Sequence, residues 1–263
     1  LRAFVDWMFN EMNAGKLFGG RVIVVQPLPT GLVDRLNRQN GLYTLILRGV
    51  QDGRVVERTE IITSISRGIN PYTQWKEFLA CAEIQELRYV VSNTTEAGIE
   101  YVSTPRPQDE CPASFPAKLA AFLFHRYKHF DGAADKGMVI LPCELIERNG
   151  VLLKEFILRH AADWQLEKDF SRWIETSCRF FNTLVDRIVP GYPAEEAKSL
   201  AQSLGYEDEL MDTGEIFHLW VLEGDAAVSK ELPFAEVGLN VLWTNNLQPY
   251  RTRKVRILNG AHT

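Results

Sequence analysis

Short apolar segments that alternate with helical patterns constrain the fold of this chain more than any other feature. Residues 21–26, 87–92 and 137–142 are largely apolar runs with the length of buried strands. Segments with apolar residues at helical spacing precede, separate and follow them. Strands that alternate with helices form parallel sheets with helices on both faces, whereas consecutive strands favour a sandwich. The sequence therefore predicts an α/β protein with a doubly wound sheet.

The first helix and the first strand indicate which kind of α/β unit to expect. Residues 2–14 carry apolar side chains at helical spacing up to Gly15, and the strand at 21–26 follows. A helix followed by an apolar strand is the second half of a βαβ unit, whose first strand and glycine-rich loop would precede Leu1. We therefore expect a Rossmann-like, dinucleotide-binding sheet that lacks its first strand.

Other segments add elements to this sheet. Residues 43–49 and 55–65 flank an Asp-Gly pair and predict a β-hairpin, an insertion in the minimal nucleotide-binding fold. Asn70-Pro71 predicts the start of a helix that runs to residue 85. The remaining predictions are two helices, which include residues 119–127 and 150–163, and two strands at residues 217–223 and 237–243.

Composition and charge exclude several classes of protein. With 263 residues, of which 46% are hydrophobic and 24% charged, the chain can bury a large core. The net charge of -5 and the pI near 5.6 argue against a nucleic-acid partner, and the basic cluster at residues 251–256 is too short to change that. No apolar run approaches about 18 residues, so no membrane partner is predicted. The residues do not predict an oligomer, and a monomer stays open.

The cysteines predict neither disulfides nor a metal centre. Cys81, Cys111, Cys143 and Cys178 are far apart and form no Cys-x-x-Cys pair. This spacing favours reduced thiols in a cytoplasmic protein over a disulfide framework or a zinc site. For Cys143 we predict a buried structural thiol, because no partner base for a nucleophile is visible.

Two histidines have the spacing of a zinc pair without its context. His125 and His129 are four residues apart, but Arg126 and Lys128 lie between them and the Glu of the metalloprotease motif is missing. We predict that both rings lie on a solvated helix surface. No metal is expected anywhere in the chain.

The last residues of the chain carry the strongest candidate for chemistry. On a helix, with Lys254 as zero, His262 falls about 80° and Asn259 about 140° round the axis, so the three share one broad face. Thr252 is a plausible N-cap after Pro249, which would place Lys254 in the first turn, where the helix dipole disfavours an ammonium. Such a lysine can exchange a proton near neutral pH, and an Asn amide can hold an oxygen that gains charge. The alternative is an ordinary basic helix with its charges in water.

Other motifs join this one in order along the chain. The spacing Lys-x4-Asn-x2-His resembles the signature of the polyol-specific long-chain dehydrogenases, the mannitol dehydrogenase family. Residues 1–7 resemble the stretch after the family's Gly-x-Gly-x-Phe loop, and residues 92–98 resemble its Thr-Glu-x-Gly loop. Residues 141–150 and 181–190 complete the series. Five ordered matches across the whole chain are far more specific than any one of them.

The resemblance implies a nicotinamide cofactor and the residues around it. Ligands of an open α/β sheet bind beyond the carboxyl ends of its strands. By resemblance, the cofactor is bordered by Arg2, Ala3 and Phe4 before the first helix, by Asn93, Thr94, Thr95 and Glu96 after one strand, and by Cys143 after the next. The alternative for residues 93–96 is a turn that caps a helix.

Gln26 departs from the usual nicotinamide site. The dinucleotide-binding fold places an acid at the end of the second strand to bind the ribose hydroxyls, and Gln26-Pro27 takes that position here. An amide can still bond a ribose hydroxyl, and the lack of an Arg or Lys directly there argues against a 2′-phosphate. We therefore expect NAD rather than NADP, with Gln26 at the ribose.

The resemblance also implies a reaction. A second amide, Asn182, would face Asn259, and both would polarise a substrate oxygen while Lys254 delivers the proton and His262 orients a neighbouring hydroxyl. The implied activity is metal-independent hydride transfer between NAD(H) and a sugar acid, with tagaturonate and altronate as the expected pair. Fructuronate with mannonate, or fructose with mannitol, need the same chemistry. A catalytically idle nucleotide-binding module is the alternative from another class.

The resemblance divides the chain unevenly. Residues 1–250 would form the dinucleotide-binding domain, without its first strand and glycine loop, and residues 251–263 would be the first helix of a mostly absent helical substrate domain. The residues that recognise the far end of the substrate are then expected beyond Thr263.

Overall fold

The computed structural model describes residues 2–51, 53–95 and 97–254. In chain order the described helices and strands are α1 (Val5–Ala14), β1 (Val22–Val25), α2 (Val33–Arg38), β2 (Tyr43–Gln51), β3 (Arg54–Ile62), β4 (Ile65–Ile69), α3 (Trp75–Ala80), β5 (Tyr89–Ser92), α4 (Phe115–His129), β6 (Val139–Pro142), α5 (Asn149–Asp163), α6 (Lys168–Thr176), β7 (Arg179–Phe180), β8 (Asn182–Asp186), α7 (Ala197–Leu204), β9 (Asp212–Glu215), β10 (Leu219–Glu223), α8 (Val228–Glu231), β11 (Val241–Thr244) and α9 (Gln248–Arg253).

The chain forms two compact units. Among the described residues, one comprises residues 2–51, 53–69, 186–219 and 231–240, and the other comprises residues 70–95, 97–185, 220–230 and 241–254. Each unit draws on several separate stretches of the chain. Local patterns in the sequence cannot define such a division, because long-range contacts create it.

Parallel pairing dominates the strands, as the alternation of strands and helices predicts. β1 pairs with β4, β10 with β11, and β6 with both β5 and β7, and all of these pairs are parallel. The described strands group into four sheets of two or three strands, in the orders β1-β4, β11-β10-β8, β3-β2-β9 and β5-β6-β7.

The predicted hairpin is confirmed, and its two strands are antiparallel. β2 and β3 pair from Tyr43 with Ile62 to Gln51 with Arg54, and Gly53 in the turn has a φ of 73°. β2 also pairs in parallel with β9. The polar strand β9 was not predicted, since Asp-Thr-Gly-Glu has no apolar pattern. Its place beside β2 nevertheless buries Asp212 and Thr213.

The helices follow the predictions in the middle and depart from them at the ends. α1 begins at Val5 rather than residue 2, because Ala3 adopts a left-handed φ of 42°. α3 begins at Trp75 rather than at residue 70, where the Asn70 side chain accepts a hydrogen bond from the Tyr72 N–H at 3.1 Å and forms a turn. α4 includes residues 119–127, as predicted, and α5 closely matches its predicted span of 150–163. The Ser114 side chain caps α4.

No helix in residues 2–51, 53–95 and 97–254 is long and apolar enough to cross a membrane. Those residues also contain no group of three or more His, Cys, Asp or Glu side chains arranged around a metal position. His125 and His129 are partly exposed, as predicted, and both rings lie against Glu83, with 2.7 Å from His125 Nε2 to the carboxylate.

Candidate active site

Asn182 opens β8 with its amide held by two other elements. Its Oδ1 accepts a hydrogen bond from the N–H of Val151 in the first turn of α5, at 3.2 Å. Its Nδ2 donates to Oε2 of Glu223 at the end of β10, at 2.9 Å. The amide therefore has a defined orientation, with the nitrogen side turned towards Glu223. A site that donates to a substrate oxygen requires such preorganisation.

Glu223 connects this amide to the last described helix. Its second oxygen, Oε1, accepts a hydrogen bond from the N–H of Leu247, the residue that precedes α9, at 3.0 Å. A carboxylate at this position satisfies one of the unpaired N–H groups that every helix start leaves. One side chain thus joins β8, β10 and the start of α9, a role that the sequence did not indicate.

Lys254 lies directly after α9 and contacts the same strand as Asn182. Its Nζ donates to the carbonyl oxygen of Val185 in β8 at 2.6 Å. The fold therefore brings the predicted amine to the strand that begins with the predicted amide. The elements β8, β10 and α9 form a continuous frame around Glu223, which we call the β8–α9 frame.

The predicted position of Lys254 in its helix is wrong. α9 begins at Gln248 with Pro249 in its first turn, so Thr252 lies inside the helix and is not its N-cap. Proline is favoured in a first turn because it has no N–H to leave unpaired. Lys254 therefore lies beyond the first turn, where the positive end of the helix dipole has little effect on its ammonium.

Three predicted site residues lie outside the described residues. Asn259 and His262 belong to residues 255–263, and Glu96 is the third. The convergence of Lys254, Asn259 and His262 on one helix face therefore stays a prediction.

Asn149 is a buried amide that hydrogen-bonds to several elements, a role that the sequence did not indicate. Its Nδ2 lies 3.0 Å from the Pro142 carbonyl, 2.9 Å from that of Glu144 and 3.1 Å from that of Thr183. Its Oδ1 accepts from the N–H groups of Gly150 and Thr183, both at 2.9 Å. The side chain joins the end of β6, the start of α5 and β8. The Asn-Gly pair was one of the matched motifs, but only the fold shows the amide between the strands.

Gly150 explains the second half of that motif. A Cβ at this position would lie 2.2 Å from the carbonyl oxygen of Phe181, which precedes β8. Only glycine therefore lets the first turn of α5 approach the strand closely enough for the Asn182 amide to accept its hydrogen bond.

The predicted cofactor loop after β5 is held by a buried carboxylate. Thr94 donates to Oε1 of Glu144 through its N–H at 2.9 Å and through its hydroxyl at 2.8 Å. The hydroxyl of Ser92 donates to the other oxygen at 3.1 Å. Glu144 is 1% exposed, whereas Asn93 and Thr95 are exposed at the carboxyl end of β5. The loop therefore presents the side chains of Asn93 and Thr95 and uses that of Thr94 internally.

Cys143 is a buried thiol at the end of β6. It is 1% exposed, and burial, together with the neighbouring charge of Glu144, raises the pKa of its thiol. A raised pKa keeps the thiol protonated and a poor nucleophile. This agrees with the predicted structural role, while a contact between Cys143 and a cofactor stays a prediction.

In the other unit, the residues before α1 are anchored by backbone contacts. Arg2 donates to the Leu210 carbonyl at 2.6 Å and lies 3.6 Å from the carboxylate of Asp212. The N–H of Ala3 donates to the hydroxyl of Tyr43 at 3.3 Å. Ala3 and Phe4 are buried, so Arg2 is the side chain of the three that reaches solvent.

Gln26 uses its amide within its own loop. Its Nε2 donates to the carbonyl oxygens of Leu28 and Pro29 at 2.8 and 3.1 Å, and its Oε1 accepts from the N–H of Val33 at 3.4 Å. These bonds close the loop between β1 and α2, and the side chain is 5% exposed. The observed role of Gln26 is to shape this loop, and its contact with a ribose hydroxyl stays a prediction.

Comparison with known proteins agrees with this architecture. The family model described as the mannitol dehydrogenase Rossmann domain matches residues 1–236. The altronate oxidoreductase of Halalkalibacterium halodurans is 48% identical over 100% of this chain and 51% of its own length, and that of Bacillus subtilis (strain 168) is 48% identical over 100% and 55%. The chain thus spans about half the length of these relatives.

Two solved structures share the fold at lower identity. The mannitol 2-dehydrogenase of Pseudomonas fluorescens, in a ternary complex with NAD and D-mannitol, has a TM-score of 0.78 at 22% identity and covers 99% of this chain and 54% of its own. A D-sorbitol dehydrogenase in substrate-free form has a TM-score of 0.77 at 20% identity, with 99% and 55% covered. The chain therefore has a Rossmann-like fold and belongs to the mannitol dehydrogenase family.

Proposed function

We propose that this chain is the cofactor-binding part of an oxidoreductase that transfers hydride between NAD(H) and a sugar acid, interconverting tagaturonate and altronate. The observation that carries the proposal is the β8–α9 frame, in which Lys254 donates to the Val185 carbonyl of β8 and Asn182, the first residue of β8, donates to Glu223. An amine and an oriented amide on one strand suit the reduction of a carbonyl. Relatives named altronate oxidoreductase support the choice of substrate.

The exposed polar side chains at the carboxyl end of β5 suit a nicotinamide dinucleotide. Asn93 and Thr95 expose polar side chains where β5 ends. These are the positions at which an α/β sheet of this kind contacts such a ligand. NAD(H), when bound, supplies the hydride that reduces the carbonyl carbon of the substrate.

Each of the proposed catalytic residues has a separate role in this reaction. Asn182 donates a hydrogen bond to the carbonyl oxygen of the substrate, and Asn259 donates a second one. Lys254 holds the proton at Nζ and transfers it to the same oxygen as the carbon is reduced. His262 bonds and orients a neighbouring hydroxyl. Val185 and Glu223 position the lysine and the amide.

We also propose the division into domains that the family resemblance implies. Residues 1–250 are assigned to the dinucleotide-binding domain and residues 251–263 to the first helix of a helical substrate domain. The start of α9 at Gln248 supports a helix that runs into this region. The groups that recognise the acid end of the substrate are then expected in that second domain.

The test follows NADH absorbance in the full-length product of the gene that encodes this chain, with tagaturonate, fructuronate and fructose as substrates. Turnover with tagaturonate should exceed that with the other two. Lys254→Ala should lower turnover by about 10²-fold or more, because a positioned proton donor contributes about 10² to 10⁴. Lys198→Ala, which removes an exposed lysine on α7, is the matched control and should leave turnover unchanged.

Two results would contradict the proposal in different ways. Selective turnover of fructuronate or fructose would replace the substrate and keep the mechanism. No oxidation of NADH with any of the three, by a folded protein that binds the nucleotide, would favour the nucleotide-binding module instead.

A further inference from the structure

A cavity rich in arginine lies in the unit that contains α1. Its volume is about 450 Å³, and it is lined by Arg2, Leu32, Arg35, Arg38, Tyr192 and Glu209. Three guanidinium groups and one carboxylate thus share a space with one aliphatic and one aromatic side chain. That combination suits a nucleotide, whose phosphates, ribose and base require cations, a hydrogen-bond acceptor and an apolar surface.

The cavity lies beside the part of the fold that recognises the adenosine ribose. Leu32 ends the loop after β1, and Arg35 and Arg38 follow on α2. In dinucleotide-binding sheets this region distinguishes a free 2′-hydroxyl, bound by an acid, from a 2′-phosphate, bound by an arginine. Directly after β1 the sequence has neither an acid nor a base, but Gln26 and Pro27. The fold brings an acid, Glu209, and two bases, Arg35 and Arg38, to this region from positions further along the chain.

Glu209 occupies the position that a phosphate would take between the arginines of α2. Its Oε2 lies 2.8 Å from Nη2 of Arg38 and 3.9 Å from Nε of Arg35. All three side chains are more than half exposed, so these ion pairs add little to stability. Guanidinium groups bind phosphate with the same geometry as they bind carboxylate.

The position of Glu209 is fixed by its backbone. Its N–H donates to the side-chain oxygen of Gln39, which directly follows α2, at 2.8 Å. The nitrogen of the same amide donates to the preceding carboxylate, Asp208, also at 2.8 Å. Asp208 in turn accepts from the Thr44 N–H in β2 at 2.5 Å. The segment that carries Glu209 is therefore fastened to both α2 and β2, which presents its carboxylate to the cavity.

We propose that Glu209 is a specificity residue that selects a dinucleotide without a 2′-phosphate. It accepts hydrogen bonds from the ribose hydroxyls, neutralises Arg35 and Arg38, and repels a phosphate that would otherwise bind them. Tyr192 and Leu32, both exposed, offer the apolar surface for the adenine. The inference rests on the proposed function, because it places the adenosine end of NAD(H) in this cavity.

The test compares NADH and NADPH binding to the full-length gene product by fluorescence titration, without any sugar substrate. The unchanged protein should bind NADH more tightly. Glu209→Gln keeps the shape of the side chain and removes its charge, so the affinity ratio of NADH to NADPH should fall by about tenfold or more, mainly through tighter NADPH binding. Adding Arg35→Ala and Arg38→Ala to Glu209→Gln should cancel that gain.

Glu196→Gln is the matched control. Glu196 is also exposed and also pairs with an arginine, Arg48, at 2.7 Å, but it does not line the cavity. An equal change in both variants would mean that any lost negative charge favours NADPH, and it would overturn the assignment. An unchanged ratio in Glu209→Gln would do the same.

The titration separates this inference from the proposed reaction. A shifted ratio in a protein that reduces none of the three sugars would contradict the reaction and support the role of Glu209. An active reductase whose Glu209→Gln variant keeps its preference would contradict the role and support the reaction. Binding of neither nucleotide would overturn both.

Discussion

At the scale of single residues, His160 is a buried imidazole in an aromatic cluster. It is 0% exposed on α5, with the rings of Tyr101 and Trp164 at centroid distances of 4.8 and 5.0 Å. Within the described part of the chain, neither of its ring nitrogens has a hydrogen-bond partner. Burial lowers the pKa of His160 below its ordinary 6.5, and the positive charge of Arg159 adds to this while Asp163 opposes it.

This lowered pKa makes stability depend on pH. Because the folded protein holds the proton of His160 less readily than the unfolded chain, acid favours unfolding. The free energy of unfolding should fall as the pH drops below about 6.5 and on through the lowered pKa, by at most about 1.4 kcal/mol per pH unit. Urea unfolding at several pH values between about pH 5 and pH 7, around the pKa of histidine, measures how the free energy of unfolding changes with pH.

Two variants separate His160 from other acid-sensitive groups. His160→Phe keeps a ring and removes the titration, so it should flatten the slope. Phe156→Leu changes a ring that packs on Tyr101 in the same cluster, at 5.9 Å, and keeps the imidazole, so it should retain the slope. Equal slopes in both variants would show that His160 does not cause the dependence.

At the scale of elements, the hairpin of β2 and β3 depends on one glycine. Gly53 has a φ of 73°, and a Cβ there would meet no described atom within 4 Å, so a substitution would cost backbone strain alone. Gly53→Ala should lower the free energy of unfolding by about 1 kcal/mol, since the left-handed conformation costs a non-glycine residue about that much. Urea unfolding with an unchanged m-value would measure the loss.

Gly19 offers the matched control for this prediction. A Cβ at Gly19 would also meet no described atom within 4 Å, but its φ lies outside the left-handed region. Gly19→Ala should therefore leave stability close to that of the original chain. A similar loss in both variants would mean that the φ of Gly53 is not the cause.

Elements were predictable where their local pattern was strong. β5, β6, α4 and α5 have apolar runs or helical periodicity of their own, and they were found near their predicted bounds. β9 is polar and becomes a strand only because β2 pairs with it. Thr252 as N-cap predicts a helix start at Arg253, whereas α9 begins five residues earlier, at Gln248. There Glu223 accepts a hydrogen bond from the N–H of Leu247, the residue before the helix.

At the scale of the whole molecule, nucleotide binding should raise the free energy of unfolding. A ligand that binds only the folded state raises the free energy of unfolding by about 2.7 kcal/mol when its concentration is 100 times its Kd. We expect NADH to stabilise this 263-residue chain by this mechanism, with a rise in melting temperature that grows with concentration. Calorimetry at increasing NADH concentration measures the rise in melting temperature. A melting temperature that does not change with NADH would argue against a cofactor site in this chain.

The sequence by itself determined the class of fold, the parallel strands, the hairpin and the family, because these follow from local periodicity and from ordered motifs. It also singled out Lys254 by its residue type and spacing, and Asn182 through the family resemblance. Only the tertiary structure decided that Glu223 orients Asn182, that Asn149 joins three elements, and that Glu209 faces the arginines of α2. These partners are separated by tens to more than a hundred positions in the chain or are linked through buried backbone groups. Their contacts exist only after long-range packing has brought the elements together, and no local pattern encodes that packing.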